Sequence, residues 1–273
     1  MTASQTPTIP VLDRPDVLML LFHPRSEPPG AYQGPAHDVM IPVAPDVAVG
    51  GRFHMQAAAN PNLLFFHGNG EIVSDYDELG PVYNARAINL LAVDYRGYGR
   101  SSGHPTVSAM LTDSHTIFAF AREWLPTHGY TGPLILMGRS LGSAAVLELA
   151  ASYPERIAGL IVESGFARAA PLLRLLGIDP DRIGFREAHG FRNIDKIKSY
   201  KGPTLIIHAE FDHIIPYSDG EALWAASPAT HKRLLQIQDA NHNDIFLRGM
   251  QVYLEAVDQF SRLGREASDS AAG

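Results

Sequence analysis

Short, continuous apolar runs recur along the chain at 63–66, 90–93, 134–137, 160–162, 205–207 and 234–237. Runs without polar alternation suit strands covered on both faces, as in parallel sheets. Between them, the stretches 107–125, 141–152, 219–226 and 244–263 carry apolar residues at helical spacing. Strand–helix alternation of this kind predicts an α/β fold: a mostly parallel central sheet of about eight strands, with helices on both faces.

Two regions break the rhythm. The runs at 17–22, 38–43 and 47–56 have turn residues between them but no helix, and read as antiparallel strands added at one edge. The interval 164–201, with Pro171 and Pro180, is longer than a simple crossover and reads as a short cap insertion. The organisation expected is one domain over residues 1–273, with frayed tails at 1–10 and 265–273.

Composition narrows the classes. Of 273 residues, 45% are apolar and 19% charged, which excludes a disordered or fibrous chain. The formal charge of −7 gives no basic face for nucleic acid. The chain has no cysteine, so disulfides, thiolate zinc sites, a cysteine nucleophile and S-acylation are excluded. The run at 17–22 is shorter than a secretory core of about 7–15 apolar residues, and far shorter than the roughly 20 that span a bilayer. No membrane span and a cytoplasmic location are therefore expected.

The pattern Gly-x-Ser-x-Gly occurs twice, at Gly138-Arg139-Ser140-Leu141-Gly142 and at Gly99-Arg100-Ser101-Ser102-Gly103. A nucleophile elbow needs a strand directly before the serine and a helix directly after it. Ser140 has both: Leu134-Ile135-Leu136-Met137 precedes it, and strong helix formers follow from Leu141. Ser101 has neither, since its strand ends near Asp94 and Gly103-His104-Pro105 bars an immediate helix.

A serine hydroxyl needs a base, and the base needs a carboxylate to orient it. In elbow enzymes these follow in the order serine, acid, histidine. Asp212 stands just past the strand at 205–207, at the carboxyl end of a parallel strand, where sites form. Glu210 and Glu163 are the alternative acids. Of twelve histidines, His242 follows the last strand and precedes the last helix, so its loop can reach Ser140. His208 lies within an apolar strand and reads as a core residue; His213 comes too early; His67 ends a strand and reads as a support for its loop. Oxyanion donors are expected at the backbone N–H of Leu141 and, from the loop His67-Gly68-Asn69-Gly70, at Asn69. No histidine pair has a ligand spacing, so neither metal nor cofactor is expected.

Together these residues resemble the α/β-hydrolase family of serine hydrolases, from about Val17 to Leu263. His67-Gly68-Asn69-Gly70 resembles the family's oxyanion loop, and the stretch from Asp94 to Gly103 its structural Asp-x-Arg-Gly-x-Gly-x-Ser loop. The His-Gly-Asn loop and short cap are similar to those of small acyl-protein and acyl-lipid hydrolases, protein depalmitoylases included. Two departures stand out: there is no N-terminal cysteine cluster, and Asn241 occupies the place before the histidine where many members carry glycine.

The resemblance implies cleavage of carboxylic esters, or thioesters, of small acyl substrates through an acyl-enzyme. An aminopeptidase-like peptidase and a non-catalytic ligand-binding protein on the same fold are the rival readings.

Overall fold

A computed structural model describes residues 9–28, 30 and 34–272. After a short helix α1 (Pro15–Leu21), the chain forms the antiparallel pair β1 (His37–Ala44) and β2 (Val47–His54), then β3 (Asn62–Phe66), α2 (Leu79–Asn84), β4 (Asn89–Val93), α3 (Val107–Thr127), β5 (Leu134–Arg139) and α4 (Gly142–Ser152). It continues with β6 (Gly159–Glu163), α5 (Ala169–Leu175), α6 (Asn193–Ser199), β7 (Thr204–Ala209), α7 (Tyr217–Ala226), β8 (Lys232–Ile237) and α8 (Ile245–Ala272).

The sheet runs β1-β2-β4-β3-β5-β6-β7-β8, and every pairing from β4 to β8 is parallel. β1 and β2 add to the β4 edge antiparallel, as the turn-rich sequence predicts. The strands are buried on both faces and sort by period two. Leu64, Phe66, Leu136, Val162 and Ile206 pack into one layer, with side chains of α3 and α4. Leu63, Phe65, Ile135, Met137, Ile161 and Leu205 pack into the other, against Tyr253, Leu254 and Val257 of α8. Burying each large side chain contributes about 1.5–3 kcal/mol, so alternate residues of one strand hold opposite helical layers to the sheet.

The strand order reverses around β3, which has β4 on one side and β5 on the other. Loops leaving neighbouring strands there diverge to opposite faces and open a crevice beyond the carboxyl ends. The loops after β3 and β5 flank it.

Three expectations are corrected. Residues 17–21 lie in helix α1 rather than in a strand, with Phe22 capping its end. Pro15 occupies the first turn, where its missing N–H is harmless, and Val17 and Leu21, four apart, turn inward while Met19 and Leu20 stay exposed. The expected insertion also divides: the Nζ of Lys196 on α6 lies 2.6 Å from Glu148 on α4, and Asn193 donates to the Phe166 carbonyl at 2.8 Å, so α6 packs on the sheet layer as a crossover helix. Finally, α8 runs to Ala272 through most of the stretch expected to fray. At the other end, Ile9 is buried and its N–H donates to Ser108 at 2.7 Å; residues 1–8 and 273 of the expected tails lie outside the described residues.

Candidate active site

Ser140 stands between β5 and α4 with φ of +50°, in the left-handed region where a residue with a Cβ is strained. Packing enforces that turn. Cβ atoms at Gly138 or Gly142 would collide with main-chain carbonyls, of Gly142 and Phe66 respectively, so strand, helix and the preceding loop close up only around glycine. The Ser140 N–H donates to the Glu163 carbonyl at 2.8 Å, and the Ser143 hydroxyl donates to the Ser140 carbonyl at 2.6 Å.

The structure brings Ser140, His242 and Asp212 together. His242 Nε2 lies 3.1 Å from Ser140 Oγ, and His242 Nδ1 lies 2.7 Å from Asp212 Oδ2. All three are buried. The second Asp212 oxygen accepts from the amides of Ile214 and Ile215, at 3.0 and 2.8 Å. Burial by itself would raise the Asp212 carboxyl. The hydrogen bond and charge of His242, with those two amides, outweigh it and hold the group below its ordinary value.

The other candidates fall elsewhere. Ser101 Oγ accepts from the Gly50 N–H at 2.9 Å and braces β2. Glu210 accepts from the Asp239 N–H at 3.0 Å. His213 is exposed. His208 donates from Nε2 to the Ile215 carbonyl at 2.8 Å, under the loop that carries Asp212, while among the described residues its Nδ1 has no partner. His67 donates from Nδ1 to the Gly68 carbonyl at 2.8 Å and lies 3.2 Å from Asp94 through Nε2.

The loop after β3 is tied at its side chains and open at one amide. Asn69 donates to the Leu21 carbonyl at 2.9 Å, and its Oδ1 accepts from the His23 N–H at 2.9 Å and the Tyr98 hydroxyl at 2.7 Å. The Gly68 N–H is taken by Glu71 at 2.7 Å. Among the described residues no protein group accepts from the N–H of Asn69 or of Leu141. Both residues line a cavity of about 230 Å³, with Ser140, His242, Leu21, Leu172, Leu176 and Ile214.

Sequence reasoning missed the buried side chain beside the nucleophile. Arg139 donates to Glu71 at 2.7 Å, to Glu163 at 2.6 Å, and to the main-chain carbonyl of His242 at 2.9 Å. Glu163, weighed as an alternative acid, is thus engaged with Arg139. The signal available was a charged residue placed where both neighbours are buried.

Among the described residues no helix is long and apolar enough to cross a membrane. Comparison with known proteins places the chain in context. The family model described as "Serine aminopeptidase, S33" matches residues 57–179. Alpha/beta hydrolase domain-containing protein 17C of Xenopus laevis is 34% identical over 204 residues, covering 72% of this chain and 60% of that protein; the chain thus spans less than two thirds of that relative's length. An uncharacterized protein of Mycobacterium tuberculosis is 30% identical over 237 residues, 82% of this chain and 78% of its own. Est1E from Butyrivibrio proteoclasticus, solved with ferulic acid bound, shares the fold at a TM-score of 0.68 and 19% identity, over 84% of this chain and 99% of that one.

Proposed function

The chain belongs to the α/β-hydrolase family, and from that premise we propose that it cleaves carboxylic esters, thioesters among them, through Ser140, His242 and Asp212. One observation carries the reading. A single imidazole lies 3.1 Å from the hydroxyl of a strained serine on one side and 2.7 Å from a buried carboxylate on the other.

In the proposed cycle Ser140 Oγ attacks the acyl carbon as its proton passes to His242 Nε2. Asp212 accepts from Nδ1–H, fixes the tautomer and stabilises the imidazolium. The amides of Leu141 and Asn69 donate to the oxyanion; each such donor is worth roughly 3–4 kcal/mol. The tetrahedral intermediate collapses with loss of the alcohol or thiol, which takes the proton from Nε2. Water then attacks the acyl-enzyme and gives its proton to Nε2. The second collapse releases the acid and returns the proton to Oγ.

The acyl group would lie against Leu21, Leu172, Leu176 and Ile214, an apolar wall that favours a hydrocarbon chain over a polar acyl group.

The test is a chain-length series of p-nitrophenyl esters and acyl thioesters, with amino-acid anilides alongside. Turnover of the esters, loss of at least about 10⁴-fold in Ser140→Ala, and stoichiometric fluorophosphonate labelling of the wild type are expected. Faster turnover of the anilides would turn the reading toward the peptidase named by the family model. A wild type that neither labels nor turns over would leave a binding protein.

A further inference from the structure

We propose that Arg139 is a positioning residue that locks the nucleophile turn, the oxyanion loop and the base loop into one register. The inference rests on the hydrolase reading above and deepens it.

The guanidinium is buried, and its three nitrogens each donate to a separate segment. Nε reaches Glu71 at 2.7 Å, Nη1 reaches Glu163 at 2.6 Å, and Nη2 reaches the carbonyl of His242 at 2.9 Å. Each carboxylate passes the connection on. The other oxygen of Glu71 accepts the Gly68 N–H at 2.7 Å and the Tyr76 hydroxyl at 2.6 Å, so the loop carrying Asn69 is fastened to Arg139 through a single side chain. The other oxygen of Glu163 accepts the Tyr253 hydroxyl at 2.6 Å, which fastens α8 behind the base loop. The main-chain carbonyl of Glu163 accepts the Ser140 N–H. One cation therefore sits at the junction of everything that must hold still.

Its chemistry suits the task. A guanidinium is planar and presents its donors in a fixed fork, whereas an ammonium is a point charge on a flexible stem. Charge-assisted bonds are short and strong in a buried site. The charge of Arg139 also keeps Glu71 ionised: burial would raise that carboxyl, but Arg139 and the Tyr76 hydroxyl hold it at about 2. Asp212 fixes the imidazole from the Nδ1 side, and Arg139 fixes the backbone that carries it. Without the second hold the ring can drift by fractions of an ångström while substrate binding persists.

The experiment compares wild type, Arg139→Lys, the charge-balanced double variant Arg139→Gln with Glu163→Gln, and Ser140→Ala. It measures kcat and KM on p-nitrophenyl butyrate across pH, with thermal unfolding as the fold control. For Arg139→Lys, kcat is expected to fall about 10–100-fold with KM within twofold, since misplacement of order 1 Å costs about 10²-fold. The acid limb of its kcat/KM profile is expected to move to lower pH, because an imidazolium less well aligned with Asp212 is less stabilised. The double variant, which keeps the net charge of the cluster, is expected to lose kcat similarly while remaining folded at the assay temperature. Both variants within twofold of wild type in kcat, with an unmoved pH profile and an inert Ser140→Ala, overturn the positioning role alone. Wild-type turnover by Ser140→Ala overturns the hydrolase reading, and this inference with it.

Discussion

Asp212 holds His242 by a 2.7 Å contact to Nδ1 while being held itself by the amides of Ile214 and Ile215. The carboxylate is thus aimed from both sides. An amide in its place would present an NH₂ or a carbonyl to Nδ1 with nearly the same shape, and the wrong tautomer could then face Ser140. Asp212→Asn is expected to lower kcat by roughly 10³–10⁴-fold, with an unfolding midpoint close to wild type. Ester turnover and thermal unfolding on one preparation check it; an Asn variant within tenfold of wild type would remove Asp212 from the mechanism.

His54 gives a pH dependence of stability whose sign is fixed by burial. Its ring packs against Gly80 so closely that a Cβ there would strike it, and burial first, then the charge of Arg52, push it down to about 4. The unfolded chain takes up the proton near pH 6.5 and the folded one only near 4. Stability is therefore fully present above about pH 6.5, is lost as pH falls to about 4, and is flat below. The shift corresponds to on the order of 3 kcal/mol. Replacing His54 by Leu is expected to flatten the midpoint between pH 7 and 4.5 relative to wild type, whatever its effect at pH 7. Parallel curves for the two proteins would assign the acid sensitivity to other groups.

Gly142 and Gly68 should respond differently to a methyl group. At Gly142 a Cβ meets the carbonyls of Phe66 and His67, which are backbone and cannot yield without moving the oxyanion loop. At Gly68 it meets the end of the Glu71 side chain at 3.0 Å, which can shift at the cost of its bond to the loop. Gly142→Ala is expected to cost several kcal/mol, in the range of severe packing errors, and to abolish ester turnover. Gly68→Ala should fold and lose only part of kcat. Urea unfolding separates the cases; equal stability losses would mean that the two contacts are equally compliant.

The succession of strands and helices from β3 onward and the places of Ser140, Asp212 and His242 were legible because each rests on a local signal: a buried run, glycines two residues either side of a serine, a polar residue just past a strand end. Helix α1 was not legible, because six apolar residues fit either period; the deciding features were Pro15 in the first turn and the spacing of Val17 and Leu21. Arg139 was not legible for a different reason. Its partners come from residues 71, 163 and 242, and no local pattern records a meeting of segments so far apart in the chain. Glu163 drew notice for its position at a strand end, but its work beside Arg139 depends on a neighbour that only the sheet order supplies. Asn69 was legible as a loop residue, whereas the use of its side chain to tie residues 21 and 23 was not.

The wall of the 230 Å³ cavity offers a test of where the acyl chain lies. Leu172 in α5 and Leu176 at its C-cap stand four residues apart and line the cavity with Ser140 and Ile214. Leu176 is partly exposed, so a larger ring can be placed there without overpacking the core. Leu176→Trp is expected to leave acetyl ester turnover within about twofold while lowering kcat/KM for octanoyl esters at least about tenfold, or roughly 1.4 kcal/mol of transition-state binding. Shortening the same side chain in Leu176→Ala should shift the optimum toward longer chains. The chain-length profile of kcat/KM is the readout. A tryptophan that depresses every ester equally would mean that it blocks the entrance, and an unchanged profile would place the acyl group away from Leu176.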